Sequence, residues 1–319
     1  MNVNEKEIGG FFGLAQFSGV EYYPELLKLN TGRNALGYLL KARHIRKLYI
    51  PYFLCDCIAV LCEQYGCEYV YYSIGQDWRP ALSGELPEDA WLYVVNYYGQ
   101  LDTAAVKALK DQYGRVILDN VQAFFQTPVS GVDTIYSCRK FFGVSDGAYL
   151  ATDAVLAEVL PQDTSAERMT HVLGRCDQTA AQYYSQFTKA EESLYGLKLA
   201  KMSNLTENLL RAVDYDAVRV QRNENYEVLA RELDGQNTWQ LQQPDGPYCY
   251  PFYCANGPQV RKKLAEKKIY IPTLWPNVLK LEDPLAKDLA ENILPLPCDQ
   301  RYDTEDMKQM LKELNAALQ

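Results

Sequence analysis

The chain has 319 residues, of which 48% are hydrophobic and 23% are charged, and its formal net charge at pH 7 is −9. These values are ordinary for a globular protein of one or two domains, and they exclude the strongly basic composition of a nucleic-acid-binding protein. No apolar run approaches the roughly 18 residues of a membrane-spanning helix, and the polar start MNVNEKEIGG lacks the apolar centre of a secretory signal, so we expect no membrane partner.

Helical and strand-like segments alternate over the first half of the chain. Helices are predicted in NALGYLLKARHI, CDCIAVLCEQYG and TAAVKALKDQYG, the last of which ends at Gly114. Strands are predicted in KLYIP, CEYVYYSI, WLYVVNYYG, RVILDNV, VDTIYSC and GAYLATD. This alternation is typical of βαβ units and a largely parallel sheet, and such sheets bind ligands at the carboxyl ends of their strands.

The pattern changes at about Thr164 and is almost wholly helical as far as the segment VLAREL. Beyond it we predict a strand in GPYCYPFYCA, a helix in PQVRKKLAEKK, a short strand and turn in IYIPTLWP, and a strand in ILPLPCDQRY. The segment TEDMKQMLKELNAAL closes the chain as a helix with Thr304 as its N-cap. We therefore predict a large α/β domain with an N-terminal arm over residues 1–203. A helical bridge and a small α/β domain follow over residues 204–319.

Nine cysteines without a secretory signal indicate reduced thiols and a cytoplasmic protein. Cys55, Cys57, Cys62 and Cys67 are close in sequence, but their spacing matches no common zinc motif and their segment has a helical pattern. We interpret these cysteines as small buried residues and predict no metal site. Only two histidines are present, which leaves little for a histidine-based catalytic triad.

Polar residues follow two of the predicted buried strands. Asp119 ends the strand RVILD, and a buried carboxylate needs a cation or hydrogen-bond donors. Gln122 comes three residues later, and Lys140 follows the next strand, DTIYS. Because parallel strands end at the same edge of a sheet, we expect Lys140 to lie beside Asp119.

The first predicted helix begins with Gly32, Arg33 and Asn34. Free amides at a helix N-terminus, with an arginine beside them, suit a phosphate group. An amine, a buried carboxylate and a phosphate site together indicate pyridoxal phosphate, which needs a Schiff-base lysine and a partner for its ring nitrogen. Taken one at a time, each residue is also compatible with a purely structural role.

The order of these segments resembles that of the DegT/DnrJ/StrS family of fold-type-I aminotransferases, which aminate nucleotide-linked keto sugars. The similar segments are NTGRNALGYLL, LYIPYFLCDCIAVLCEQYGCEYVYYSI, VVNYYGQ, VILDNVQAFF, IYSCRKFFGVSDGAYLA, the helix pair KMSNLTENLLRAVDYDAVRVQRNENY, and two C-terminal segments, VRKKLAEKKIYIPTLWP and ILPLPCDQRYDTEDMKQMLKEL. The resemblance implies a large domain with a mostly parallel seven-stranded sheet between helices, and a smaller α/β C-terminal domain.

The resemblance also implies residue roles. Lys140 would form the Schiff base, Asp119 would pair with the pyridinium nitrogen, and Gln122 would contact the hydroxyl side of the ring. The other cofactor-binding residues that it implies, several of them at the phosphate, are Gly32, Arg33, Asn34, Ser137 and Phe53.

Three features depart from the family pattern. The stretch between Ser137 and Lys140 is about two residues shorter than the common pattern and lacks its usual His. Arg33 stands where the family usually has Thr or Ser, and Leu199 stands where it has the Asn that a neighbouring subunit contributes, so that Lys201 or Asn204 would have to substitute.

The function implied by the resemblance is that of a homodimeric, pyridoxal-phosphate-dependent aminotransferase. It would move an amino group from an amino acid donor to a keto acceptor such as a nucleotide-linked keto sugar. Two alternatives remain open: a non-catalytic binding protein of the same fold, and another pyridoxal phosphate reaction such as elimination. The retained Asp119, Gln122 and Lys140 argue against the first, and Lys140 disfavours the dehydrating branch of the family, which tends to have His there.

Overall fold

A mixed sheet of eight strands lies at the centre of the first half of the chain in the computed structural model, which describes residues 8–319. The strands are β1 (Leu27–Leu29), β2 (Lys47–Pro51), β3 (Glu68–Ile74), β4 (Pro80–Ala81), β5 (Trp91–Val95), β6 (Val116–Asp119), β7 (Asp133–Ser137) and β8 (Ala148–Ala151). Their order across the sheet is β1-β8-β7-β6-β5-β2-β3-β4. The pairs from β7 through β6, β5 and β2 to β3 are parallel, and the pairs that involve β1, β8 or β4 are antiparallel.

The predicted, mostly parallel sheet is confirmed, with eight strands rather than seven. The six strands predicted from pattern are all present, and β1 and β4 are the additions. They have three and two residues, which is too short for a visible alternation of apolar and polar positions. The first seven residues of the predicted large domain and of its N-terminal arm lie outside the described residues.

Three helices connect the strands of the first half as predicted: α1 (Gly32–Ala42), α2 (Asp56–Gln64) and α3 (Thr103–Tyr113). The side chains of their N-caps, Thr31, Cys55 and Asp102, accept backbone amide hydrogen bonds. Gly114 ends α3 with a φ of +69°, which glycine adopts without steric cost. Every residue of β6 and β7 is buried, as expected for the centre of a parallel sheet covered on both faces.

The nearly continuous helix pattern predicted after Thr164 is interrupted in the structure. It contains α4 (Thr170–Gly174), α5 (Tyr184–Ser193), α6 (Asn204–Leu210) and α7 (Tyr215–Leu233). Before α6 the chain is extended, and Lys201 forms β-bridges with Leu29 and Gln162. These long-range bonds override the local helical preference, so this part of the prediction is wrong.

The C-terminal part contains β9 (Cys249–Tyr253) paired antiparallel with β10 (Ile293–Pro297), together with α8 (Gly257–Glu266), α9 (Pro284–Asn292) and α10 (Thr304–Leu318). The sheet, α7, α8 and α10 enclose a hydrophobic core of their own. Trp239, Val278 and Leu289 belong instead to the core of the large sheet. The predicted domain boundary after residue 203 stays a prediction.

Two details of the C-terminal prediction are wrong. The segment IYIPTLWP forms no strand, because Tyr270 is exposed and the backbone of Trp275 is left-handed, with a φ of 56°. The N-cap of α10 is Asp303 rather than Thr304, since the Asp303 carboxylate accepts the amides of Glu305 and Asp306. A carboxylate one residue earlier competes successfully with the threonine hydroxyl for the same role.

None of the helices between residues 8 and 319 has both the length and the apolar character to span a membrane. Over the same residues, no cluster of three or more His, Cys, Asp or Glu side chains is arranged to hold a metal ion.

Candidate active site

The carboxyl ends of β6 and β7 bring the two central predicted residues to one edge of the sheet. β6 ends at Asp119, which pairs in parallel register with Ile135 of β7. β7 ends at Ser137, and one 3₁₀ turn, Cys138–Lys140, follows it directly. The neighbouring strand ends therefore place Lys140 on the same edge as Asp119, as the sequence predicts.

Asp119 is a buried carboxylate that accepts two hydrogen bonds. The Tyr93 hydroxyl donates to its Oδ2 at 2.6 Å, and the backbone amide of Val121 donates to its Oδ1 at 2.9 Å. Burial raises the pKa of Asp119, while the two hydrogen bonds and the more distant charge of Lys140 act in the opposite direction. Both contacting donors are neutral, so the site can accept a cation at this carboxylate.

Lys140 presents its amine at this edge of the sheet. By surface area the residue is exposed, yet protein on several sides displaces much of its water. This loss of hydration lowers the pKa of Lys140, and the charge of Arg139 lowers it further, against the opposing effects of Cys55, Cys57 and Asp119. A lowered pKa increases the share of neutral amine near neutral pH, and only the neutral amine is a nucleophile.

Gln122 lies close to the same edge and is buried. Its Oε1 accepts the backbone amide of Tyr98 at 2.8 Å, and Tyr98 has a left-handed backbone with a φ of 54°. This bond fixes the orientation of the side-chain amide and leaves its nitrogen as a donor. The position therefore suits an oxygen acceptor on a bound ring.

The start of α1 adjoins the two strand ends. A Cβ atom on Gly32 would lie 3.6 Å from side-chain atoms of Ile135 and Val121, so the helix begins directly over β6 and β7. Thr31 Oγ1 accepts the amide of Asn34 at 3.0 Å, which leaves the amides of Gly32 and Arg33 available to an anion. These two amides are the donors that the sequence pattern assigns to a phosphate; the assignment stays a prediction.

The Arg33 side chain is partly engaged elsewhere. Its Nη1 donates to the carbonyl oxygen of Leu194 at 3.0 Å, and its guanidinium lies 4.5 Å from the ring centroid of Tyr195. Its Nε is buried and makes no hydrogen bond to the described residues. The hydrogen bond from Cys55 and then the charge of Arg33 lower the pKa of Cys57 to about 7.

The Asn34 side chain is engaged by neighbouring protein groups. Its Nδ2 donates to Asn30 Oδ1 at 2.9 Å and to the carbonyl oxygens of Leu197 and Lys198 at 3.2 and 2.9 Å. The structure thus does not bring this predicted cofactor-binding side chain to the others, because the extended segment before α6 needs its amide.

The positions of Phe53 and Ser137 say less about a cofactor than those of the other predicted residues. Phe53 is fully buried, with its ring centroid 5.4 Å from that of Tyr97 and 4.7 Å from that of Trp275, so packing accounts for it and gives no support for a cofactor contact. Ser137 is buried at the end of β7 opposite Ala148, on the correct edge, and its side chain does not cap the following turn.

Sequence reasoning missed two residues of this site. Tyr93 lies in the middle of β5, and only the register of that strand, which sets Tyr93 against Ile117 of β6, shows that its hydroxyl can reach Asp119. Arg139 forms an ion pair with Glu191 of α5. Burial and then the charge of Arg33 lower the pKa of Arg139 to about 10, so these two cations are close enough to interact.

Two cavities lie away from these residues. One of about 730 Å³ is bordered by residues 76–79, 100–102 and 238–242, and one of about 270 Å³ lies between Arg168 and α5. Neither is lined by Lys140, Asp119 or Gln122. The candidate site is therefore defined by converging side chains at a strand edge.

No protein-family model matches the sequence, and no curated protein matches it. Solved structures do share its fold. A DegT DnrJ EryC1 StrS aminotransferase from Brucella abortus is 14% identical, with a TM-score of 0.62 over 91% of this chain and 85% of that one. The sugar aminotransferase CalS13 from Micromonospora echinospora is 14% identical, with a TM-score of 0.63 over 92% and 87%.

NtdA from Bacillus subtilis, solved with bound cofactor PMP, is 13% identical and gives a TM-score of 0.65 over 92% of this chain and 73% of that one. These similarities cover nearly the whole chain at low identity, and they confirm the fold that the sequence predicts: that of the DegT/DnrJ/EryC1/StrS aminotransferases.

Proposed function

We propose that this chain is a pyridoxal-phosphate-dependent aminotransferase. The observation that carries the proposal is the placement of Lys140 and Asp119 at adjacent carboxyl ends of β6 and β7. This placement occurs in a fold shared with a sugar aminotransferase over 92% of the chain. A binding protein without catalytic function would have no physical reason to keep a costly buried carboxylate beside a free amine.

The residues fit the cofactor in three ways. Asp119 is buried with only neutral donors in contact, and a protonated ring nitrogen would supply the missing cation. The free amide nitrogen of Gln122 suits an oxygen on the ring. The amides of Gly32 and Arg33, together with the Arg33 charge, suit a phosphate dianion.

When bound, pyridoxal phosphate supplies an aldehyde and a ring that accepts electrons. Lys140 would bind that aldehyde, and its lowered pKa suits it to carry a proton to and from the carbon atom that reacts. Asp119 would keep the ring nitrogen protonated, and Tyr93 would hold the carboxylate in place.

The proposed substrates are an amino acid donor and a keto acceptor, with a nucleotide-linked keto sugar as the acceptor class. Support comes from the sugar aminotransferase in the structural comparison and from the family that the sequence resembles. We place the protein in the cytoplasm, because all nine cysteines are free thiols, as expected in a reducing compartment.

We further propose a homodimer in which the partner completes each site. Ile8, Phe11 and Phe12 are almost fully exposed. The arm that carries them is fixed at its base, where the Phe17 amide donates to Asn208 Oδ1 at 2.9 Å. Exposed apolar residues on an anchored segment are typical of an interface.

Leu199 stands where the family pattern has the asparagine that contacts the neighbouring subunit, so another side chain would have to make that contact. Leu199 is buried, whereas Lys201 and Asn204 are exposed and free to reach a second subunit. Either side chain could replace the asparagine of the family pattern.

The experiment is to add pyridoxal phosphate to the purified protein, reduce it with borohydride, and locate the pyridoxyl group by mass spectrometry. We expect the adduct on Lys140, and loss of both the adduct and the visible absorbance in a folded Lys140→Ala variant. Lys189→Ala is the matched control and should retain both. An adduct on Lys189 or Lys201 would overturn the assignment. A protein that binds no pyridoxal phosphate would favour the non-catalytic alternative.

If the protein binds pyridoxal phosphate, a second experiment must distinguish amino transfer from elimination. Single-turnover spectra with a panel of amino donors and keto sugar nucleotides should show donor-dependent loss of the original absorbance and its return with acceptor. Release of ammonia or water from a single substrate would instead indicate elimination.

A further inference from the structure

The carbonyl group of Phe141, the residue after Lys140, is held by two side chains from the C-terminal half of the chain. Gln300, just after β10, donates from Nε2 to the Phe141 carbonyl oxygen at 2.7 Å. Arg222, in the middle of α7, donates to the same oxygen from Nη2 at 3.4 Å. Two elements remote in sequence thus converge on the residue that follows the proposed catalytic lysine.

Arg222 is an unusual residue for a protein interior. It is 1% exposed, and its acceptors are neutral oxygens: Gln300 Oε1 at 2.8 Å, the Pro247 carbonyl at 2.7 Å and the Phe141 carbonyl. Its guanidinium also lies 4.4 Å from the ring centroid of Phe141. Burying a charge among neutral partners is costly, so the position is poorly explained by stability alone.

The turn that carries Lys140 is fixed from the other side by its own backbone. The amides of Phe141 and Phe142 both donate to the Cys138 carbonyl oxygen, at 3.0 and 2.9 Å. The amide side of Phe141 is therefore held by the turn, and its carbonyl side by Arg222 and Gln300. Together these bonds determine the direction in which the Lys140 side chain leaves the backbone.

We infer that Arg222 and Gln300 are positioning residues that hold the Lys140 segment in its reactive orientation. This inference rests on the proposed function, since it assigns the pair to the amine that would bind the cofactor. Loss of either donor leaves the Phe141 carbonyl short of a hydrogen bond in a buried region. The turn would then relax, and the amine would move toward water and away from the protein groups that now surround it.

The variants that test this are Arg222→Lys and Gln300→Met, because neither changes the net charge. The controls make the same changes at exposed positions of the same half: Arg231→Lys, in the last turn of α7, and Gln259→Met on α8. The measurement is the pH dependence of Lys140 acetylation in the cofactor-free protein. A trace amount of an amine-reactive acetylating reagent is added at each pH, and the acetylated Lys140 peptide is quantified by mass spectrometry. Unfolding midpoints are recorded in parallel.

We expect the Lys140 pKa to rise by at least about half a unit in Arg222→Lys and Gln300→Met and to stay unchanged in both controls. The other charged and titratable groups that face Lys140 are Arg139, Cys55, Cys57 and Asp119, and all four are left intact. A lower unfolding midpoint with an unchanged Lys140 pKa would show a structural role only and would overturn the inference. Failure of wild-type Lys140 to form the pyridoxyl adduct would overturn the proposed function instead, and the acetylation result would still stand.

Discussion

At the scale of single residues, the ionisation of Asp119 has a consequence for stability. Burial raises its pKa above the value in the unfolded chain, so the folded state binds the proton more tightly. Stability in the absence of cofactor should therefore fall as pH rises from the unfolded pKa toward the folded one. We expect Asp119→Asn to remove this slope and to make the cofactor-free protein more stable than wild type at about pH 7.

Urea unfolding at about pH 4 and about pH 7 measures this effect. Asp133→Asn is the matched control, because Asp133 is an equally buried carboxylate whose Oδ1 accepts from Arg43 at 2.7 Å. Loss of that ion pair should destabilise the control, since a buried charge loses its partner. An Asp119→Asn protein that is less stable than wild type at both pH values would contradict the prediction.

Arg33 allows a second test at this scale. Its Nε is without a partner among the described residues, and a phosphate would supply one. A charge-assisted hydrogen bond of about 1.5–3 kcal/mol corresponds to a factor of roughly ten to a hundred in affinity. We expect Arg33→Ala to weaken pyridoxal phosphate binding by that factor while leaving binding of pyridoxal, which lacks the phosphate, nearly unchanged.

Fluorescence titration with both compounds makes this comparison within one variant. Equal losses for the two compounds would show that Arg33 acts only through its contacts with Leu194 and Tyr195. No loss for either would make it a residue without a role at the site.

The sequence could predict part of this site and not the rest. The placement of Asp119 and Lys140 at one edge of the sheet could be predicted, because each follows a short apolar strand and parallel strands end together. The packing of Asn34 and Phe53 could not be predicted, because their partners at Lys198 and Trp275 lie far away in sequence.

At the scale of elements, helices and strands with strong local patterns were predicted correctly. The predictions that failed did so where long-range pairing overrides the local pattern. Helices α1, α2 and α3 were predicted with their approximate ends. The continuous helix predicted after Thr164 was wrong, because the bridges of Lys201 to Leu29 and Gln162 hold the segment before α6 extended. Helical periodicity alone cannot show such bonds.

The N-terminus of α10 gives a direct test at this scale. Sequence alone favours Thr304 as the N-cap, whereas the structure places Asp303 there, accepting amides at 2.9 and 3.0 Å. We expect Asp303→Ala to reduce the free energy of unfolding by about 1 kcal/mol. Thr304→Ala, its control, should have little effect, and urea denaturation measures both. The reverse ranking would show that the threonine caps the helix after all.

At the scale of the whole molecule, the exposed arm sets the expectation for assembly. Obligate homodimers commonly bury on the order of 2,000 Å² or more, and residues such as Phe11 and Phe12 can supply apolar area to such an interface. If the arm crosses to a second copy, each active site contains residues of both subunits, and cofactor affinity then depends on assembly.

We therefore expect the double variant Phe11→Ser, Phe12→Ser to weaken dimerisation by at least about tenfold and to lose cofactor affinity at concentrations where it is monomeric. The control double variant Val155→Ser, Val159→Ser removes two strongly exposed apolar side chains from the loop after β8, and it should remain dimeric. Sedimentation velocity gives the oligomeric state, and fluorescence titration gives the affinity. Mixing Lys140→Ala subunits with arm-variant subunits should restore some activity if the sites are composite, because one site in each hybrid then carries neither change. A wild-type protein that sediments as a monomer at micromolar concentration and still binds pyridoxal phosphate would rule the composite site out, since no partner residue could then contribute to binding.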